Sequence, residues 1–207
     1  MATANMKDVK RRIKSVESTK QITKAMELVA SSKLRKAKEK AENAQPFFRA
    51  LYSAMCEIAQ NGSLSSQFMS KNPIKTSLVV VVAGDRGLAG GFNHNVLKLA
   101  SARIQELSDE GAAVKVLPVG KKAVEYFEKR SYEVVHPCQQ IAESMNIYKS
   151  QDIADYVISL FKHGEISSAE LVYTTLVSAL SQEPVHLKML PVDEFKNVSE
   201  GKAVTLT

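Results

Sequence analysis

Apolar and polar positions fall into two textures along this chain. From Asn5 to Gln60 apolar residues recur every three or four positions, with no glycine and a single proline, Pro46. From Leu78 onward they come in short β-branched runs separated by stretches of helical period. The first texture predicts one helix of 56 residues, roughly 80 Å long at 1.5 Å per residue. Asn5, with Asp8 three positions on, is placed to cap its start, and Asn61-Gly62 to stop it. Pro46 removes one backbone bond and is expected to kink the helix, or to end it and begin another at Phe47. A polar stretch from Asn61 to Thr76, with Gly62, four serines and Pro73, comes next as a linker.

The second texture predicts strands at Leu78 to Ala83, Val114 to Val119, Glu133 to His136, Leu171 to Val177 and Val185 to Pro191. Helices are expected at Asn93 to Glu110, Lys121 to Arg130 and Gln151 to His163. Alternating strands and helices argue for a mostly parallel sheet covered by helices, with the all-apolar run Leu78 to Val82 at its centre. Only Ser178 to Pro184 separates the last two strands, too few residues for a crossover, so they are expected as an antiparallel edge hairpin. The fold class is therefore α/β: a long helix over 1–60, a linker over 61–76, and a Rossmann-like domain over 77–207.

Heptad counting sharpens the helix. Met6, Val9, Ile13, Val16, Lys20, Thr23, Glu27, Ala30, Leu34, Ala37, Ala41 and Ala44 fall at alternating a and d positions, and nine of these twelve are apolar. That is a coiled-coil seam whose alanine-rich later half lets a mate approach closely. Its three polar members are consecutive. Where they interrupt it, Ile22, Met26 and Val29 form a second apolar stripe on another face, flanked by Arg12, Lys33, Lys36 and Lys40. A helix apolar on two faces needs two partners, one along each.

Charge points the same way. The chain carries +6 overall, yet residues 1–45 hold 12 Lys and Arg against 5 Asp and Glu, so the whole basic excess lies in the first fifth. Such asymmetry fits an acidic partner for that segment. With 207 residues, 44% hydrophobic and 24% charged, and no apolar run near the ~20 residues that cross a bilayer, the composition is that of a globular protein without a membrane span. No apolar leader opens the chain, so it is expected to stay inside the cell. Cys56 and Cys138 have neither CxxC nor zinc-ligand spacing and are expected as buried small hydrophobes.

Candidate chemistry is confined to one loop, Ala83-Gly84-Asp85-Arg86-Gly87-Leu88-Ala89-Gly90-Gly91-Phe92-Asn93. Glycines between a central strand and a helix resemble phosphate loops, but neither GxxxxGK[ST] nor GxGxxG is present. Gly84, Gly87, Gly90 and Gly91 are read as serving a tight turn and close helix packing, with Asp85 and Arg86 shaping it. His94, His136, His163 and His186 lack metal-ligand spacing. No catalytic constellation emerges, and no cofactor is expected.

The segments Met6 to Val16, Thr19 to Ala30 and Ser32 to Arg35, together with the loop Asp85 to Asn93, the run Leu171 to Thr174 and the pair Leu190-Pro191, resemble the gamma subunits of F-type ATP synthases. Ala89 stands where that family often has cysteine. The resemblance implies a non-catalytic rotor shaft whose N-terminal helix pairs with a C-terminal helix inside a hexamer of alpha and beta subunits. Its turning would be driven by ion flow through a membrane ring of c subunits and would drive nucleotide exchange on beta, while the α/β domain sits near the epsilon subunit and the ring. It further implies that Ile22, Lys24, Met26, Val29, Lys33, Arg35 and Lys36 face the hexamer, that Lys33 and Arg35 meet acidic loops of beta, and that Val9, Ile13, Val16, Ala30, Leu34 and Ala37 form the seam. The setting implied is peripheral on an inner or plasma membrane, on the cytoplasmic side in a bacterium. The sequence ends at Thr207, just after the hairpin, where the family continues into its long C-terminal helix. Two other readings compete. One is a nucleic-acid-binding module using the basic helix, disfavoured because the first 46 residues hold no aromatic to stack a base. The other is a nucleotide-dependent enzyme built on the α/β domain.

Overall fold

The computed structural model describes residues 2–60, 67–69, 74–140, 145–178 and 181–192. Helix α1 runs from Ala2 to Gln60, 59 residues. It begins three residues before the predicted cap at Asn5. It also runs through Pro46, which does not end it, although proline inside a helix removes one hydrogen bond and crowds the carbonyl four residues back. The predicted stop at Asn61-Gly62 lies outside the described residues. Two compact units divide the chain, and the division falls within α1, between Leu51 and Tyr52.

The second unit holds strands β1 (Thr76–Val82), β2 (Ala113–Val119), β3 (Glu133–Val134), β4 (Ser168–Leu176) and β5 (Gln182–Leu190). With them come helices α2 (Phe92–Asp109), α3 (Lys121–Glu128) and α4 (Ile147–Lys162). The sheet order is β3-β2-β1-β4-β5. β1 pairs in parallel with both β2 and β4, β2 with β3, and β5 closes the edge antiparallel to β4. Buried on both faces, β1 has no polar side to show, which is why Leu78 to Val82 reads as an unbroken apolar run.

Alternation along the strands sorts the core into two layers. Val79, Val81, Val116 and Val172 pack with Val96, Ala100 and Ile104 of α2 and with Ala123 and Phe127 of α3. Leu78, Val80, Leu117 and Val119 pack with Val157, Leu160 and Phe161 of α4 and with Ile166. Gln67–Met69, within the stretch expected as linker, form a 3₁₀ turn, and Phe68 stacks on Phe161 with ring centroids 6.3 Å apart. Both cysteines are buried, and neither is part of a disulfide.

One buried charge interrupts the apolar interior. Glu170 of β4 is 4% exposed and takes a two-pronged hydrogen bond from Arg103 of α2, Nε and Nη2 each 2.8 Å from a carboxylate oxygen. Arg103 also reaches Glu106 at 2.9 Å. The Arg103 hydrogen bonds hold the Glu170 carboxyl below the usual carboxylate range, against the opposing effect of burial. The pair ties α2 to the sheet at the position in register with Val79.

Candidate functional site

Sequence singles out two places, the faces of α1 and the loop after β1. On α1 the seam residues Val9, Ile13 and Leu34 are each about half exposed and Val16 is 63% exposed; Ala30 and Ala37 are exposed as well. The second stripe is alike: Ile22 is 59% exposed, Met26 50% and Val29 58%. Along residues 6–40 every side chain is exposed, so this region of the helix has no core of its own. Leaving large apolar side chains in water at helical spacing forgoes roughly 1.5–3 kcal/mol for each that a partner surface could cover.

The charged members of the track are held along the helix. Lys24 donates to both carboxylate oxygens of Glu27, at 3.0 and 3.1 Å, and Arg35 donates to Glu39 at 2.9 Å. Both pairs are well exposed, and exposed pairs of this kind contribute at most about 1 kcal/mol. A partner's carboxylate can therefore displace them at little loss. Lys33 and Lys36 are exposed between them.

The polar gap in the seam is less polar than its letters. Thr23 Oγ1 donates to the Thr19 carbonyl at 2.8 Å, and Thr19 Oγ1 to the Ser15 carbonyl at 3.0 Å. These hydroxyls are satisfied inside the helix, leaving the methyl groups for packing. Glu27, the next gap residue, is engaged by Lys24. This local pairing, visible at spacings of three and four, was the signal in the sequence that heptad counting passed over.

The loop after β1 is a closed bracket. Asn93, at the start of α2, accepts from the Gly84 amide at 2.8 Å and donates to the Arg86 carbonyl at 3.0 Å. Asp85 accepts from the Lys121 amide at 2.9 Å, and the Gly84 carbonyl accepts from the Lys122 amide at 3.0 Å. The Gly84 amide, which a phosphate loop would present to an anion, is thus spent on Asn93. Gly90 takes φ +55°, whereas Gly87 meets nothing within reach of an added Cβ. Gly120, at the end of β2, was not singled out by sequence. It sits at φ +94°, and a Cβ there would run into the Ala83 carbonyl. It lets β2 turn into α3 hard against the bracket. Leu88, by contrast, takes φ +58° without being glycine, a left-handed conformation that disfavours a side chain by roughly 1–2 kcal/mol. The four histidines are all exposed, with His136 stacked on Tyr156 at 4.5 Å between ring centroids.

Against known proteins, a family model described as ATP synthase matches residues 5–206. An ATP synthase gamma chain of Ruminococcus albus is 51% identical over 203 residues, which is 98% of this chain and 71% of that protein. A gamma chain of Acetobacterium woodii, described as sodium ion specific, is 37% identical over 202 residues, 97% of this chain and 66% of that one. Among solved structures, the central stalk and c-ring of the Tetrahymena thermophila mitochondrial ATP synthase contains a chain with a TM-score of 0.61 at 21% identity. That match covers 87% of this chain and 80% of the other.

Proposed function

The chain belongs to the ATP synthase family, among its gamma chains, and from that premise we propose how its residues carry out a rotor's work. A gamma chain is the non-catalytic stalk subunit, and what it supplies is a shaft and the surfaces that grip it. We read residues 1–60 as one half of that shaft, 61–76 as the link, and 77–207 as the head. The partners are an alpha/beta hexamer around the shaft, and an epsilon subunit and a ring of c subunits about the head. Turning of the shaft, driven by ion flow through the ring, would time nucleotide exchange on beta. The place is the face of the membrane that bears the hexamer, the cytoplasmic side in a bacterium. No helix among the described residues is long and apolar enough to cross a membrane.

The observation that carries this reading is the exposed apolar side chains on two faces of α1. Val9, Ile13, Val16, Ala30, Leu34 and Ala37 suit a helical mate, and their spacing of three and four is that of a coiled-coil interface. Ile22, Met26 and Val29, with Lys24, Lys33, Arg35 and Lys36 beside them, suit an enclosing surface rich in carboxylates. Gly84, Asp85, Arg86, Gly87, Gly90 and Gly91 shape the turn that fixes the head's first helix.

The test is co-elution of the full chain with an alpha/beta hexamer on a sizing column. The expected result is a stable complex that Met26→Lys weakens and that supports ATP turnover by the hexamer. A wild-type chain that elutes alone, or full affinity and turnover with Met26→Lys, would contradict the assignment.

A further inference from the structure

The sheet grows in two directions from β1. β2 and β3 are laid down on one side of it, and the chain then returns through α4 to place β4 on the other. In open α/β sheets such a switch point leaves a crevice at the carboxyl ends of the strands, where ligands bind. Beside α2 that end is taken up by the bracket around Asn93. Beneath α4 it is not. A cavity of about 400 Å³ lies there between the helix and the sheet, floored by Val80, Val82, Val119 and Leu171; Val82 and Val119 are the last residues of β1 and β2.

A shortage of side-chain volume opens it. Ile153 and Val157 of α4 pack toward the sheet, but Ser150 and Ala154, four positions apart and so on one side of the helix, also line the cavity and carry short side chains. Valines opposite them do not make up the difference. The volume falls within the roughly 300–1,000 Å³ of small-molecule sites and is more than twice the ~150 Å³ apolar cavity that takes benzene.

The walls select against charge. Among the described residues, no Lys, Arg, His, Asp or Glu lines the cavity, and its one hydroxyl, on Ser150, is spent on the Asn146 carbonyl at 3.0 Å. An ionised headgroup, a phosphate or the amides of a peptide would enter unpaired. Met145 and Met189 also line it, and thioethers adapt to the shape of an occupant and make favourable contacts with aromatic rings.

We propose that the cavity between α4 and the sheet binds a neutral aromatic small molecule, held by apolar contact and by the two thioethers without an anchoring ion pair. The site lies wholly within the head and does not depend on the stalk reading.

The test titrates the full chain with N-phenyl-1-naphthylamine, an uncharged aromatic probe that brightens in apolar surroundings, while the methyl NMR signals of the methionines are followed. The expected result is a saturable one-to-one rise in fluorescence, with the signals of Met145 and Met189 shifted and those of Met6 and Met26 on α1 unmoved. Ala154 is exposed, so Ala154→Trp adds its ring at the cavity's rim. That variant is expected to weaken binding at least roughly tenfold with the melting temperature kept within about 3 °C, whereas Ala154→Ser binds as wild type does. The sulfonated relative of the probe, 8-anilino-1-naphthalenesulfonate, is expected to act on Met145 and Met189 at least roughly tenfold more weakly. No saturable rise, shifts confined to the α1 methionines, undiminished binding by Ala154→Trp, or equal affinity of the sulfonate at Met145 and Met189 would overturn the proposal. A chain that is dimeric alone and monomeric with the probe would assign the cavity to a second copy and overturn it as well. If Ala154→Trp does not fold, the methionine shifts of the wild type decide. Each of these failures leaves the stalk reading standing.

Discussion

Val81 and Val16 are the same side chain in opposite circumstances. Val81 is 0% exposed in the middle of β1, and Val16 is 63% exposed on α1. In the head, the apolar residues are buried by the chain's own sheet and helices. On α1 they are arranged with equal regularity and buried by nothing along residues 6–40. The difference teaches where each region's stability comes from: the head folds on its own core, while α1 keeps apolar surface that association would bury.

Substitutions should separate the two regions. The largest effect is expected from Phe127→Ala. Phe127 is fully buried, its ring 5.1 Å from those of both Tyr126 and Tyr132 in edge-on contact, and its loss should lower stability by about 3–5 kcal/mol in urea unfolding. The same truncation at Val16 should change the free chain by less than about 0.5 kcal/mol.

Next is Arg103→Ala. It strands the Glu170 carboxylate under α2 and should destabilise the head by about 2–3 kcal/mol, below the range for a fully buried pair because Arg103 keeps one-fifth of its surface in water. The pH dependence has a definite sign. Glu170 titrates lower in the folded state than in the unfolded chain, so its contribution is complete above the unfolded value of about 4.3 and is lost as pH falls through the folded one. Unfolding midpoints measured from pH 6 downward should fall more steeply in wild type than in Glu170→Gln.

Met26→Lys should then weaken binding to an alpha/beta hexamer roughly tenfold, with no change in the melting temperature of the free chain. Smallest is Arg35→Gln, which removes an exposed pair and should alter thermal stability by under about 0.5 kcal/mol.

Much of the head was legible because its signals are local. The apolar run Leu78 to Val82 marks a strand buried on both faces, and the short Ser178 to Pro184 connection marks the hairpin. The helix over 5–60 was legible from the breakers it lacks. Of the two outcomes expected at Pro46, an end to the helix does not occur, since helical segments on both sides of it keep their own hydrogen bonds. The Arg103–Glu170 pair could not be seen, since 67 positions separate its members and only the sheet register brings them together. Gly120 was missed for a like reason: its neighbour, the Ala83 carbonyl, lies just beyond another strand. On α1 the candidate residues could be named because helical spacing alone sets which side chains share a face.

Hydrogen exchange tests the contrast most directly, measured residue by residue in the full chain, alone and mixed with an alpha/beta hexamer. The account predicts that amides of β1 exchange slowly in both samples. Those at residues 20–36 of α1 should exchange fast in the free chain and at least roughly tenfold more slowly once the hexamer is present. Protection of 20–36 equal to that of β1 in the free chain, or unaltered by the hexamer, would contradict it.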